Sequence, residues 1–146
     1  MAIRPLDLRD IEDVLAIQAA CPEIAQWSTW DYDRVARGEM AGWVMESESG
    51  EITGFLVARR IVNDLEILNF AVRLGARRQG IGAALLGEAL RWGSTFSARQ
   101  AFLEVRVSNL AALRFYEQHK FQITGRRPRY YTAPIEDAFV LSAQIL

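Results

Sequence analysis

The sequence predicts a single mixed α/β domain, and three observations carry that prediction. Its 146 residues suit one compact unit and leave little room for a second. At 51% hydrophobic, the chain can bury a substantial core. Its apolar residues also change period along the chain, between helical spacing and strand-length runs, in an order that mixes hairpin and crossover connections.

Residues 2–4 are short and extended, and Pro5 stops them. Within 6–20 the apolar Ile11, Val14, Leu15 and Ala19 fall at helical spacing. Asp7 is placed to cap that helix, with Asp10 three residues on and Pro22 after its end. Ser28 or Thr29 caps a second short helix that ends near Gly38. Residues 42–46 and 52–62 read as strands joined by a polar turn at 47–50. After a turn at Asn63 and Asp64, residues 65–72 form a third strand; so tight a connection predicts an antiparallel pair.

Residues 80–92 return to helical spacing, with Ile81, Leu85, Ala89 and Trp92 on one face. A strand over 101–107 follows, then a helix over 109–119 with Leu110, Leu113 and Tyr116 three apart. Residues 121–124 and 138–143 read as closing strands, with an Arg- and Tyr-rich loop between them. The order is strand, two helices, three strands, helix, strand, helix, two strands, with about four helices in all.

Composition excludes several classes. A net charge of −1 and a pI of about 5.9 give no global footprint for nucleic acid. The run Arg126-Arg127-Pro128-Arg129-Tyr130-Tyr131 leaves two local readings open: stacking on RNA bases, or a solvated loop beside a cleft. Cys21 is the one cysteine, so no intramolecular disulfide forms and a reducing cytoplasm suits the chain. No His lies near Cys21 to activate it, and it reads as a small, partly buried residue. The start shows no secretory pattern, and no apolar run reaches the roughly 18 residues of a membrane span, so the expectation is a cytoplasmic protein without a membrane partner. One His and one Cys, without paired spacing, predict no metal site. His119, beside Lys120 near a helix end, reads as structural.

The most informative segment is Arg77-Arg78-Gln79-Gly80-Ile81-Gly82-Ala83, between a strand and a helix. The first N–H groups of a helix have no carbonyl partner inside it, and with the helix dipole they form an anion site. Three phosphate motifs compete. The dinucleotide fingerprint lacks its third glycine, since Leu85 stands there. A Walker A loop needs a Gly-Lys-Ser/Thr ending, and Lys120 is the only lysine. The pattern Arg/Gln-x-x-Gly-x-Gly/Ala is filled completely by residues 77–82. A turn softened by glycine merely for helix-to-strand packing is the alternative.

That loop is similar to the pyrophosphate loop of the GNAT superfamily of acyl-CoA N-acyltransferases. Further segments follow in one order: Leu68-Asn69-Phe70-Ala71-Val72, Leu103-Glu104-Val105-Arg106, Ser108-Asn109-Leu110-Ala111-Ala112 and Phe115-Tyr116-Glu117. Together they resemble the RimI-type branch, the ribosomal-protein alanine N-acetyltransferases, most strongly over residues 65–122. Trp27-Ser28 and the stretch from Arg127 through Tyr131 to Glu136-Asp137 are similar more weakly.

The resemblance implies a GNAT-like fold, its mostly antiparallel mixed sheet splayed near the centre, and transfer of acetyl from acetyl-CoA to a primary amine. The acceptor it implies is a protein N-terminus, with a small-molecule amine or a non-catalytic acyl-CoA-binding module as alternatives. Phe70, Ala71 and Val72 would offer backbone to the pantetheine arm. Arg77, Arg78, Gln79, Gly80, Ile81, Gly82 and Ala83 would hold the pyrophosphate, and Asn109 would contact the cofactor further on. Trp27 and Tyr131 would hold the acceptor. The family usually carries glycine where Lys120 stands, which puts the usual ending of that helix in question.

Acetyl transfer to an amine poses two proton problems: the amine must lose a proton, and the departing thiolate gains from receiving one. An α-amine with pKa about 7.7–8.0 needs only modest help. Glu104 lies in the apolar run 102–105, where a carboxylate is costly to bury unless it faces a wet cleft or a partner such as Arg106. The resemblance makes it the general base. Tyr116, a phenol with ordinary pKa about 10, would be the general acid, against a simpler reading as core packing with its hydroxyl at the rim.

Overall fold

The computed structural model describes residues 1–145. The elements run β1 (Ala2–Pro5), a single 3-10 turn at Leu8–Asp10, α1 (Ile11–Ala19), α2 (Thr29–Ala36), β2 (Ala41–Glu46), β3 (Ile52–Ile61) and β4 (Asp64–Val72). Then follow a second 3-10 turn (Leu74–Ala76), α3 (Ile81–Thr95), β5 (Gln100–Arg106), α4 (Leu110–Gln118), β6 (Gln122–Thr132) and β7 (Ile135–Gln144). This is the predicted order.

The caps explain the helix starts. Asp7 and Asp10 form a reciprocal capping box, as do Ser28 and Asp31. Asp10 is 2% exposed, yet it binds the Arg4 guanidinium at 2.7 and 2.8 Å and the Asp7 amide at 2.9 Å. Burial favours its neutral acid, but Arg4 and that amide outweigh burial and hold Asp10 below the usual carboxylate range.

All seven strands form one sheet in the order β1-β2-β3-β4-β5-β7-β6. Every neighbouring pair is antiparallel except β4 and β5, which the α3 crossover joins in parallel. β4 and β5 pair only at Leu65–Ala101 and Glu66–Phe102. Beyond those residues the two strands part, and the sheet splays at its centre as the resemblance implied.

Both faces are covered. Leu85, Leu86 and Ala89 of α3 pack with Leu56, Leu65 and Leu103 on one side, while Val14, Tyr32 and Val35 pack with Val44, Phe55 and Val57 on the other. β3 is buried without alternation from Ile52 to Ala58, the pattern of a strand sandwiched between helices.

Several boundaries differ from the sequence expectation, and two of the differences have a clear cause. α3 continues past Trp92 to Thr95, because Gly93 lets the helix lie against Leu65 and Ile145; an added Cβ there would sit 3.3 and 3.2 Å from their side chains. An apolar stripe cannot register a residue that packs through having no side chain. The stretch expected as an Arg- and Tyr-rich loop is instead the long β6–β7 hairpin. β6 is an edge strand, where Arg126, Arg127, Pro128 and Arg129 face solvent; charge and proline are suited to such an edge. Its register on β7 slips between Ile123 and Gly125 and again between Arg127 and Tyr131.

α4 ends in a glycine-type turn made by a lysine. Lys120 takes φ +70, its N–H donates to the Glu117 carbonyl at 3.1 Å, and Phe121 N–H donates to the Tyr116 carbonyl at 3.0 Å. The Phe121 ring packs 5.3 Å from the Tyr116 ring, completing a Schellman motif with its apolar contact.

Candidate active site

Two cavities open where β4 and β5 part, and Phe70, Asn109, Ala112 and Tyr116 belong to the walls of both. The larger, about 620 Å³, runs between β4, the turn before α3, and α4. Its size lies in the range of small-molecule and cofactor sites. The smaller, about 140 Å³, lies towards β5 and the β6–β7 hairpin.

The turn into α3 is shaped as an anion cradle. Arg78 and Gly80 both take left-handed backbone, φ +65 and +79. These two left-handed residues turn the chain sharply into α3. The first amide of the turn to find a backbone carbonyl is that of Ala84, which donates to Gly80 at 3.0 Å. The donors before it face the α3 N-terminus, where the helix dipole is positive. Gly82 serves differently: a Cβ there would lie 3.3 Å from the Phe115 ring, so its bareness brings α3 and α4 together along the groove. A chain with these amides, this groove and these arginines fits a diphosphate with an extended tail.

Of the residues expected to hold acetyl-CoA, Phe70, Ala71, Val72, Arg77, Arg78, Gly80, Ile81, Gly82, Ala83 and Asn109 line the larger cavity. Gln79 is exposed and stands outside that wall. Asn109 caps α4, its Oδ1 accepting the Ala112 N–H at 3.2 Å. Arg77 donates to the Val72 carbonyl at 3.3 Å and lies 3.7 Å from Glu23.

Glu104 and Tyr116 both face the smaller cavity. Strand alternation sends Leu103 and Val105 into the core and leaves Glu104 turned to the gap. Its side chain is 11% exposed; Oε1 lies 3.3 Å from Arg127 Nε, and Oε2 is buried without a hydrogen-bond partner among the described residues. The expected alternative partner, Arg106, is engaged elsewhere. It pairs with Glu136 at 3.2 Å, donates to the carbonyls of Ala133 and Pro134, and lies 4.3 Å under the Tyr131 ring.

Tyr116 sits among Phe70, Phe115 and Phe121, with ring centroids 5.3 to 6.3 Å away. Burial, with Tyr131 adding to it, pushes its phenol well above the ordinary value, so it stays protonated. Tyr116 thus packs in the core and also belongs to the cavity wall.

Of the pair expected to hold an acceptor, Tyr131 lines the smaller cavity and Trp27 does not. Trp27 packs on Tyr32 at 5.4 Å and is clamped by Gln18, which accepts its N–H at 3.0 Å and donates to its carbonyl at 2.9 Å. Its neighbours Glu23, Ile24 and Ala25 form the wall instead. Asn69 fastens that segment to β4, donating to the Ala25 carbonyl at 3.0 Å and the Tyr32 hydroxyl at 2.9 Å.

Sequence reasoning missed Tyr130, Asn69, Glu23 and Glu66 as wall residues. Asn69 carried a signal, being the one polar residue in an apolar run. Tyr130 lies in the run 126–131, one reading of which is a solvated loop beside a cleft, but no local signal sets it apart as a wall residue, and the register of β6 is irregular between Arg127 and Tyr131. The Tyr130 phenol adjoins Glu104, and this carboxylate together with burial pushes its pKa up to about 12.

Comparisons with known proteins agree on one family. The model of the acetyltransferase (GNAT) family matches residues 8–121. A Bacillus subtilis (strain 168) protein provisionally named a ribosomal protein bS18-alanine N-acetyltransferase is 29% identical over 140 residues, covering 96% of this chain and 93% of its own. The ribosomal protein bS18-alanine N-acetyltransferase of Escherichia coli (strain K12) is 31% identical over 101 residues, 68% of each chain. The crystal structure of the ribosomal-protein-S18-alanine N-acetyltransferase from Escherichia coli superposes with a TM-score of 0.85 at 25% identity, covering 99% of this chain and 93% of that one.

Proposed function

The chain belongs to the acetyltransferase (GNAT) family, with acetyl-CoA as its acetyl donor, and from this premise we propose that it acetylates the N-terminal α-amine of a protein, with Glu104 as base and Tyr116 as hydrogen-bond donor to the departing thiolate. One observation supports this above the others. The donor groove and the acceptor cavity meet at Tyr116 and Asn109, and Glu104 stands on the acceptor side of that junction. The relatives named as ribosomal protein bS18-alanine N-acetyltransferases, one of them provisionally, support the choice of acceptor.

Acetyl-CoA supplies an acetyl group already activated as a thioester. The chain's own part is to hold, orient and move protons. The amides before Ala84 and the arginines of the turn hold the diphosphate; the parted edge of β4 at Phe70 to Val72 orients the arm. Glu104 receives the proton that the acceptor's ammonium must lose before its nitrogen has a lone pair. Tyr116 donates a hydrogen bond towards the sulfur. With the phenol raised by burial and a thiol pKa near about 8.5, full transfer of its proton is uphill, so stabilisation by that hydrogen bond is its main contribution.

The test is thiol release from acetyl-CoA with a panel of peptides bearing free N-termini and a panel of small amines. Peptides turned over with the label on the α-amine support the reading; turnover of a polyamine alone, or of nothing, overturns it.

A further inference from the structure

We propose that Arg127 is a specificity-determining residue for the acceptor: its guanidinium competes with the acceptor's α-ammonium for the Glu104 carboxylate, so that a cationic acceptor enters by exchange and the neutral acetylated product cannot. The inference rests on the reading of Glu104 as the group that receives the acceptor amine.

Arg127 is the one arginine of its stretch that is held at the cleft. Arg126 pairs with Asp137 at 2.8 Å, and the same carboxylate takes the Arg129 amide at 2.9 Å. Arg106 is fixed beneath Tyr131 by Glu136. Arg127 alone of these reaches Glu104, at 3.3 Å, with its own side chain 57% exposed against 11% for the carboxylate. The acid is thus set in the wall, and the cation is a long arm laid in from solvent. Arg127 pairs with Ala138 of β7, and Glu104 of β5 pairs with Val140 of the same strand, so the long arm of Arg127 reaches diagonally across β7 to the carboxylate.

The pairing is also incomplete. Oε2 of Glu104 is buried and unserved, and a buried acceptor without a donor costs free energy. A guanidinium held through Nε is planar and directional, whereas an ammonium is compact and carries three donors. An α-ammonium can therefore serve both oxygens where Arg127 serves one. Exchange of cation for cation keeps the carboxylate paired throughout, which a neutral amide cannot do. Acetylation removes the charge, and the balance then favours the return of Arg127.

Steady-state kinetics on Arg127→Ala, Arg127→Lys and Arg126→Ala, with a free-N-terminus peptide as acceptor and its acetylated form as inhibitor, test the idea. For Arg127→Ala the KM for peptide is expected to fall about two- to fivefold, the range for a partly exposed ion pair, while the KM for acetyl-CoA holds. Product inhibition tightens by at least as much. Millimolar methylguanidinium restores the higher KM in Arg127→Ala, and Arg127→Lys and Arg126→Ala stay near the parent protein. A peptide KM that is unchanged or raised in Arg127→Ala, or the same fall in Arg126→Ala, overturns the proposal and leaves the acetyltransferase reading standing. No turnover of any peptide by the parent protein overturns that reading, and this inference with it.

Discussion

Glu104 is paired with Arg127 across the sheet and not with Arg106 two residues along its own strand. Arg106 and Glu104 share a face of β5, but the β6–β7 turn draws Arg106 away through Glu136 and two carbonyls. The carboxylate at the cleft thereby has a cation that comes from the edge of the fold, while a second arginine, close in sequence, braces Tyr131.

Removing the Glu104 carboxylate or the Tyr116 hydroxyl is expected to affect turnover and spare cofactor affinity. Glu104→Gln should lower kcat with peptide acceptors about 100-fold or more, the range for general-base catalysis. Tyr116→Phe should lower it about 10- to 100-fold, the worth of one hydrogen bond to a charged group. Acetyl-CoA binding, measured by calorimetry, should stay nearly constant in both. Full activity in either variant refutes the role given to that residue.

The two glycines of the turn should fail differently. Gly80→Ala meets no neighbour within 4 Å but must hold φ +79, so it should cost about 1–2 kcal/mol of stability in thermal or urea melts. Gly82→Val drives a branched side chain at Phe115, 3.3 Å from where its Cβ would be, and should weaken acetyl-CoA binding about tenfold. Equal losses of stability and affinity in both would contradict this division.

Asp10 makes stability pH-dependent in a stated direction. Its folded pKa lies below the unfolded value near about 3.9, so its contribution is present above that value and is lost as pH falls through the folded pKa. Asp10→Asn should cost about 2 kcal/mol at neutral pH, and the gap to the parent protein should close on acidification below about pH 4. Urea midpoints at pH 7 and pH 3 read this out; a gap that widens in acid would reverse the assignment.

Lys120 sits in a conformation that suits glycine. Lys120→Gly should raise stability by about 1 kcal/mol, relief of left-handed strain exceeding the entropy that glycine adds to the unfolded chain. For a chain of this length that is a rise in Tm of roughly 2–4 °C. An unchanged or lower Tm would show that the lysine side chain has a compensating role.

Much of the protein was legible in order along the chain. Asp7 with Asp10, and Ser28 with Asp31, mark the two N-terminal helices because a cap satisfies its own neighbours. The turn at 77–83 could be read as an anion site because its donors are backbone groups that any helix start leaves open. Phe70 to Val72 and Asn109, singled out from the sequence, line the larger cavity.

Non-local contacts were not legible. Trp27 was expected across from Tyr131, but the Gln18 side chain takes both backbone groups of Trp27 and turns it onto Tyr32, leaving the wall to Glu23, Ile24 and Ala25. The stretch between the closing strands at 121–124 and 138–143 looked like a loop because the exposed edge strand carries arginines and a proline there, residues that read as strand only once β7 lies beside them.

By itself, then, the sequence determined the order of elements, the helix starts and the bare turn before α3, all set by interactions within a few residues. Only the tertiary structure decided which cation meets Glu104, which residues wall the smaller cavity and where the sheet opens. Those depend on side chains distant in sequence, 23 positions apart for Glu104 and Arg127, and on a strand register that no local pattern encodes.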